Sequence, residues 1–130
     1  MTPLDQTIYG TGENGKPPGN CWQTCVASLL DLPLTQVPHF IERAPRTWYR
    51  STRRFVVKHT GMDLGCFAPK FPLTEPGQYV IGVGPSPRGA FLHAVILDGV
   101  TGALMHDPHH SRAGLAGPLV EVYGFTVVAS

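Results

Sequence analysis

Asn20-Cys21-Trp22-Gln23-Thr24-Cys25-Val26-Ala27-Ser28-Leu29-Leu30 carries apolar residues at 21, 22, 25, 26, 29 and 30. That spacing is one face at helical period. Asn20 stands where an N-cap belongs, and Pro33 stops the run because its ring excludes the helical ladder. Ahead of it come Gly10, Gly12, Gly15, Pro17, Pro18 and Gly19. This is loop punctuation, with room for one short strand near Thr7–Tyr9. Cys21 is thereby expected on the first turn of a helix, directly after a tight loop. Unpaired N–H groups and the helix dipole favour negative charge there, and the thiolate is the reactive form of cysteine. The alternative for Cys21 is a small core hydrophobe.

Working outward, a second helix is predicted from about Arg46 to His59, closed by Gly61, with Trp48, Phe55 and Val56 on one side. A short helical turn around Pro38, within Leu34–Phe40, joins the two. The period then changes. Asp63–Phe67, Tyr79–Val83, Phe91–Leu97, Ala103–His106 and Leu119–Val128 read as strands between Gly and Pro clusters. Helices first and strands after predict an α+β fold, with N-terminal helices packed on a C-terminal antiparallel sheet. At 130 residues the chain is read as a single domain, 1–130.

The third and fourth strands form a hairpin around Asp98-Gly99-Val100-Thr101-Gly102. Centred on Val100, it sets His93 directly opposite Asp107, with both side chains on one face. A carboxylate beside an imidazole fixes its tautomer and stabilises the imidazolium, leaving the other ring nitrogen for a thiol. A one-residue slip would send Asp107 to the opposite face. A purely structural His–Asp pair is the other reading. Nucleophile at a helix start, base on one strand and orienting acid on the next is a general pattern of covalent catalysis.

Composition narrows the classes. Charged residues are 15%, hydrophobic residues 42%, and net charge is +1. Low charge with ample apolar content excludes intrinsic disorder, and no overall field argues for nucleic acid. The 15 glycines and 13 prolines follow no period and imply many turns. Three cysteines cannot all pair, and Met1-Thr2-Pro3-Leu4-Asp5 has no signal-peptide pattern. No apolar run approaches the roughly 20 residues that span a bilayer. A reduced, cytoplasmic protein is expected.

These residues carry a family resemblance. Gly19-Asn20-Cys21-Trp22 resembles the Gly-Ser-Cys-Trp stretch of papain-like cysteine peptidases, and the run to Leu30 is similar to the nucleophile helix of the C39-like bacterial peptidases. His93-Ala94-Val95-Ile96 and Asp107-Pro108 resemble that family's later His-hydrophobic strand and Asp-Pro ending. Residues 32–40, 84–89 and 106–112 also resemble runs in small bacteriophage-encoded proteins. The resemblance implies a papain-like fold with Cys21 as nucleophile, His93 as base and Asp107 as orienting residue. It implies no cofactor. Two positions depart from the pattern. Trp22 replaces a glycine after the nucleophile, and Gly15 stands where the papain fold expects a glutamine that donates to the oxyanion. Asn14, Gln23, or Gln6 by a different loop path, are the replacement candidates, and the backbone N–H of Cys21 is a second donor.

Cys25, four residues on from Cys21, is read as core, as a resolving thiol, or as the nucleophile itself if the helix starts later, and Cys66 as core. His106 should point away from Asp107 by strand alternation. His109, His110, Ser111 and Arg112 are expected in a loop at the rim of the site, with His109 and Trp22 as substrate-contact candidates. A zinc site is disfavoured because Cys-x3-Cys lacks the usual knuckle spacing and no second pair exists. Gly82–Gly89 lacks the phosphate-loop pattern and is expected to border the cleft instead. Arg43, Arg46, Arg50, Arg53, Arg54 and Lys58 hold six of the ten basic residues. Arg46, Arg50, Arg53 and Arg54 should share a helix face, either solvated or facing an anionic partner.

The expected activity is thiol-dependent hydrolysis of an amide, peptide or isopeptide bond in a protein or peptide substrate, through a thioester. Amidase, deamidase and acyl-transfer chemistry stay open on the same triad. The competing reading is a weakly active or inactive phage accessory protein that uses the fold to bind a host factor. The oligomeric state is open.

Overall fold

A computed structural model describes residues 1–129. Three helices precede a five-stranded antiparallel sheet, which makes the fold α+β. The helices are α1 (Cys21–Leu30), α2 (Phe40–Arg43) and α3 (Trp48–Thr60), with a 3₁₀ turn at Leu34–Gln36. The strands are β1 (Asp63–Phe67), β2 (Tyr79–Pro85), β3 (Leu92–Asp98), β4 (Leu104–His106) and β5 (Glu121–Thr126), in spatial order β1-β5-β2-β3-β4. No helix among the described residues is long and apolar enough to cross a membrane.

Helix α1 is buried over Trp22 and Thr24–Leu29, well beyond the single apolar face its sequence predicts. The sheet and α3 cover one flank, and the N-terminal segment covers the other. Thr2 N–H donates to Ser28 O at 3.0 Å, and Leu4 N–H donates to the Ser28 hydroxyl at 3.2 Å. Asp31, in the left-handed conformation at φ 56°, closes the helix. Gly61, at φ 73°, closes α3, where a side chain would be strained. The main core joins Trp22, Cys25, Val26, Val56, Leu64, Ile81, Ile96 and Tyr123. A smaller cluster of Val80, Val95, Leu97 and Val122 fills the other face of the sheet.

Several expectations are corrected. Thr7–Tyr9 forms no strand; the N-terminal loop is held by one isolated bridge between Thr11 and Pro18. Asn20 precedes α1, but its side chain makes no cap. Its Oδ1 instead accepts the N–H groups of Thr7 (3.0 Å) and Ile8 (2.9 Å), which ties the loop to the helix start. Helix α3 begins at Trp48, so Arg46 lies ahead of it. Cys66 is exposed although it shares a strand face with the buried Leu64, because it lies near the end of β1, an edge strand.

The hairpin register also differs. β3 and β4 pair Leu97 with Leu104 and Ile96 with His106, with an irregularity between them. Continued one step, this sets Asp107 opposite Val95 rather than His93. The displacement is two residues, so the period-two alternation keeps Asp107 on the His93 face.

Ile81 is fully buried on a central strand, whereas Leu104 is about half exposed on the edge strand. Ile81→Ala is expected to cost about 2–5 kcal/mol in urea unfolding, and Leu104→Ala under about 0.5 kcal/mol. Similar losses at both positions would contradict this placement of the core.

Candidate functional site

Cys21 is the first residue of α1 and is partly buried. His93 sits near the start of β3 and is 3% exposed; Asp107 follows the end of β4 and is 2% exposed. The His93 Nε2–H donates to Asp107 Oδ1 at 2.7 Å. Asp107 accepts two further hydrogen bonds, from the N–H of His109 to Oδ1 (2.9 Å) and from the N–H of Gly114 to Oδ2 (2.7 Å). The Cys21 thiol stands beside the same imidazole. It does not meet full hydrogen-bond geometry, but it is close enough to favour the imidazolium. The three residues singled out in the sequence are therefore neighbours in space.

Burial alone would push the His93 imidazole down. The Asp107 carboxylate and the Cys21 thiol outweigh it, and His93 is pushed up to about 9. Burial alone would raise the Asp107 carboxyl. Its bonds from His93, His109 and Gly114 win, and it is held at about 2. Each group stabilises the charged form of the other.

Cys21 and His93 lie where two hollows meet, with Ile41 and Leu92 lining both. One hollow, of about 380 Å³, is bordered by Gln6, Tyr9, Arg88, Phe91 and His109. The other, of about 250 Å³, is walled by Trp22, Trp48, Val83, Tyr123 and Glu121. His109 is buried at the cleft wall, its Nδ1 2.8 Å from the Ser111 hydroxyl and its ring edge-on to Tyr9. Burial first, then the nearby Arg88, keep it below the usual histidine value. Trp22 forms a wall from within the core: it donates to the Thr52 hydroxyl at 3.0 Å and packs edge-on against Trp48 and Tyr123.

The amide candidates are redistributed. Asn14 is exposed in a turn at φ 55° and borders neither hollow. Gln23 turns away from Cys21: its Nε2 donates to Val37 O at 2.7 Å, and its Oε1 accepts from Asn20 at 3.2 Å. Gln6, by the longer loop path, is the amide side chain that borders the cleft beside Cys21. It is 6% exposed, donates from Nε2 to Ile8 O at 2.9 Å, and leaves its buried Oε1 without a partner. Its closeness to Gly19 could be read only once the Asn20 clamp on Thr7 and Ile8 was known.

The remaining candidates lie outside this arrangement. Cys25 is fully buried, and burial pushes its thiol up. His106 points away, donating to Leu4 O at 2.6 Å. Among the described residues no three His, Cys, Asp or Glu side chains converge as metal ligands. Arg50, Arg53 and Arg54 are exposed on α3, but Arg53 is engaged by Asp63 through bonds of 3.0 and 2.6 Å.

Comparison with protein-family models, with curated proteins and with solved structures gives no match.

The two shifts set a pH window. His93 is raised on folding, so its stabilisation is complete below its ordinary 6.5 and is lost as pH climbs through about 9. Asp107 is lowered, so its stabilisation is complete above its ordinary 3.8 and is lost as pH falls through about 2. Urea unfolding should therefore give a plateau between these ordinary values and declines on both sides. An NMR titration of His93 should have its midpoint near 9, and Asp107→Asn should move it well below that. A wild-type midpoint at or below 6.5 would refute the pairing.

Proposed function

We propose that the chain is a papain-like, cysteine-dependent hydrolase that cleaves an amide, peptide or isopeptide bond in a protein or peptide. The observation that carries this is the buried His93, bonded at 2.7 Å to Asp107 and flanked by the Cys21 thiol at the floor of an open cleft. The order of elements, a nucleophile helix before an antiparallel sheet bearing the base and the acid, supports a papain-like arrangement. Three free cysteines fit a reducing, cytoplasmic setting.

The proposed chemistry follows from which atoms are engaged. Asp107 occupies Nε2 of His93, which leaves Nδ1 to hold the proton given up by the thiol, so that the ring is charged at neutral pH. The Cys21 sulfur then attacks the carbonyl carbon. The oxyanion is met by the N–H of Cys21 and by the second amide proton of Gln6, whose first is engaged by Ile8. The C–N bond breaks as His93 returns the proton to the leaving amine, and a thioester remains on Cys21. Water, deprotonated by His93, attacks the thioester; the acid leaves and the thiol is restored. Asp107 holds the ring and balances its charge without changing protonation.

A second reading, a binding protein with little or no hydrolysis, is favoured by the exposed cations Arg50, Arg54 and Lys58 on α3, which suit an anionic partner.

Neutral-pH alkylation with iodoacetamide separates the two. Cys25 is shielded, and Cys66, though exposed, is pushed up by burial of its thiol and by Glu121. Cys21 is expected to be modified first, and hydrolysis of a peptide library should stop with it. Cys21→Ala should abolish turnover, His93→Ala should cost about 10²–10⁴-fold, and Gln6→Ala about 10²–10³-fold. Modification of Cys66 ahead of Cys21, or hydrolysis that survives Cys21→Ala, would defeat the proposal and leave the binding reading standing.

A further inference from the structure

The 250 Å³ hollow beside Cys21 and His93 has a chemical asymmetry that the hydrolytic step does not use. Trp22, Trp48, Ile41, Val83 and Tyr123 give it apolar and aromatic walls, and Glu121 is the one carboxylate among the described residues that lines it. The sheet register fixes where that carboxylate stands. Val83 pairs with Ala94 on one side and with Glu121 on the other. Glu121 is therefore two strands from the residue that follows His93, roughly 10 Å across the sheet at the usual strand spacing. Glu121 and Tyr123, two apart on β5, share a face, and Tyr123 packs on Trp22 of α1.

Glu121 is built in as an acceptor. The Tyr123 hydroxyl donates to its Oε2 at 2.6 Å, and the Cys66 thiol donates to the same oxygen at 3.1 Å. These two donors hold the carboxyl below the usual glutamate range. Oε1 has no hydrogen-bond donor among the described residues. Across the catalytic pair, the opposite hollow carries the cation Arg88 and, among the described residues, no carboxylate.

Resting on the hydrolase reading above, we propose that this slot is a specificity pocket for a basic side chain, arginine or lysine, and that Glu121 is its specificity determinant. Such a side chain lays an apolar stem along Trp22, Ile41 and Val83 and carries its cation to the far end. Aromatic walls add favourable contacts to the cation that they do not offer to a neutral group. Arg88 repels the same side chain from the other hollow, so the charge pattern also sets the direction in which a peptide crosses Cys21. Tyr123 and Cys66 act as positioning residues: with Oε2 occupied, Oε1 is the oxygen that faces the substrate.

The test uses acetyl-X and acetyl-X-glycyl chloromethyl ketones on the full chain, with X as arginine, citrulline or leucine. Citrulline keeps the shape of arginine without the charge. The readout is the rate of Cys21 modification by mass spectrometry. In one of the two placements, arginine should react about tenfold faster than citrulline, as expected for a partly desolvated ion pair. Glu121→Gln should bring that ratio close to one and leave the leucine reagent unchanged. Equal rates for arginine and citrulline in both placements would overturn the pocket, whatever the variant does. An unchanged preference in Glu121→Gln would overturn the role of Glu121. A matching arginyl coumarylamide separates the two claims: arginine-selective labelling without hydrolysis sinks the hydrolase reading alone, and hydrolysis without selectivity sinks the pocket alone. Failure of every reagent to modify Cys21 would sink both.

Discussion

A buried carboxylate is costly unless its oxygens are filled, and Asp107 is the point at which this fold meets that demand. Its three donors come from different places: a side chain on β3 and two backbone amides from the loop that follows β4. Satisfying it orients the His93 ring and winds residues 107–114 into a fixed loop. Gly114, at φ 73°, makes that winding feasible. The loop in turn holds the start of the chain. Gln6 N–H donates to Pro108 O at 2.9 Å, and Arg112 pairs with Asp5 at 2.7 Å. The N-terminal segment, the loop after β4 and His93 on β3 thus form one assembly around a single charge.

Cys21 joins that assembly through Asn20. Its buried amide binds the backbone of Thr7 and Ile8, and its carbonyl accepts from both the N–H and the hydroxyl of Thr24. One residue therefore locks the loop onto the helix start without acting as a side-chain cap. Close backbone passage is required here. Gly19 N–H donates to Gly10 O at 2.7 Å, and a side chain at Gly19 would approach that oxygen to 2.9 Å. Gly10 faces the same constraint, against Pro17 O.

What could be read in advance followed the range of the interaction. Local patterns worked well: α1 runs from Cys21 to Leu30, and β1 from Asp63 to Phe67, as the periodicity implied. The His93–Asp107 contact could be read because strand alternation survives a two-residue displacement of register. Long-range facts were not legible. Gln6 reaches the cleft through a loop path that no periodicity encodes, whereas Gln23, two residues from Cys21 in the chain, is taken up by Val37. Glu121 read as part of an apolar strand, and its place became visible only from the pairing of β2 with both β3 and β5. Cys66 read as core because edge and central strands look alike in sequence.

The central claim is that Cys21 and His93 act as one nucleophilic unit, and its most direct measurement is a burst assay with p-nitrophenyl acetate followed by peptide mapping. A rapid release of nitrophenol is expected, with an acetyl group on Cys21, no burst in Cys21→Ala and a slowed one in His93→Ala. An acetyl group carried by Cys66 or by lysines, or a burst indifferent to His93, would contradict it.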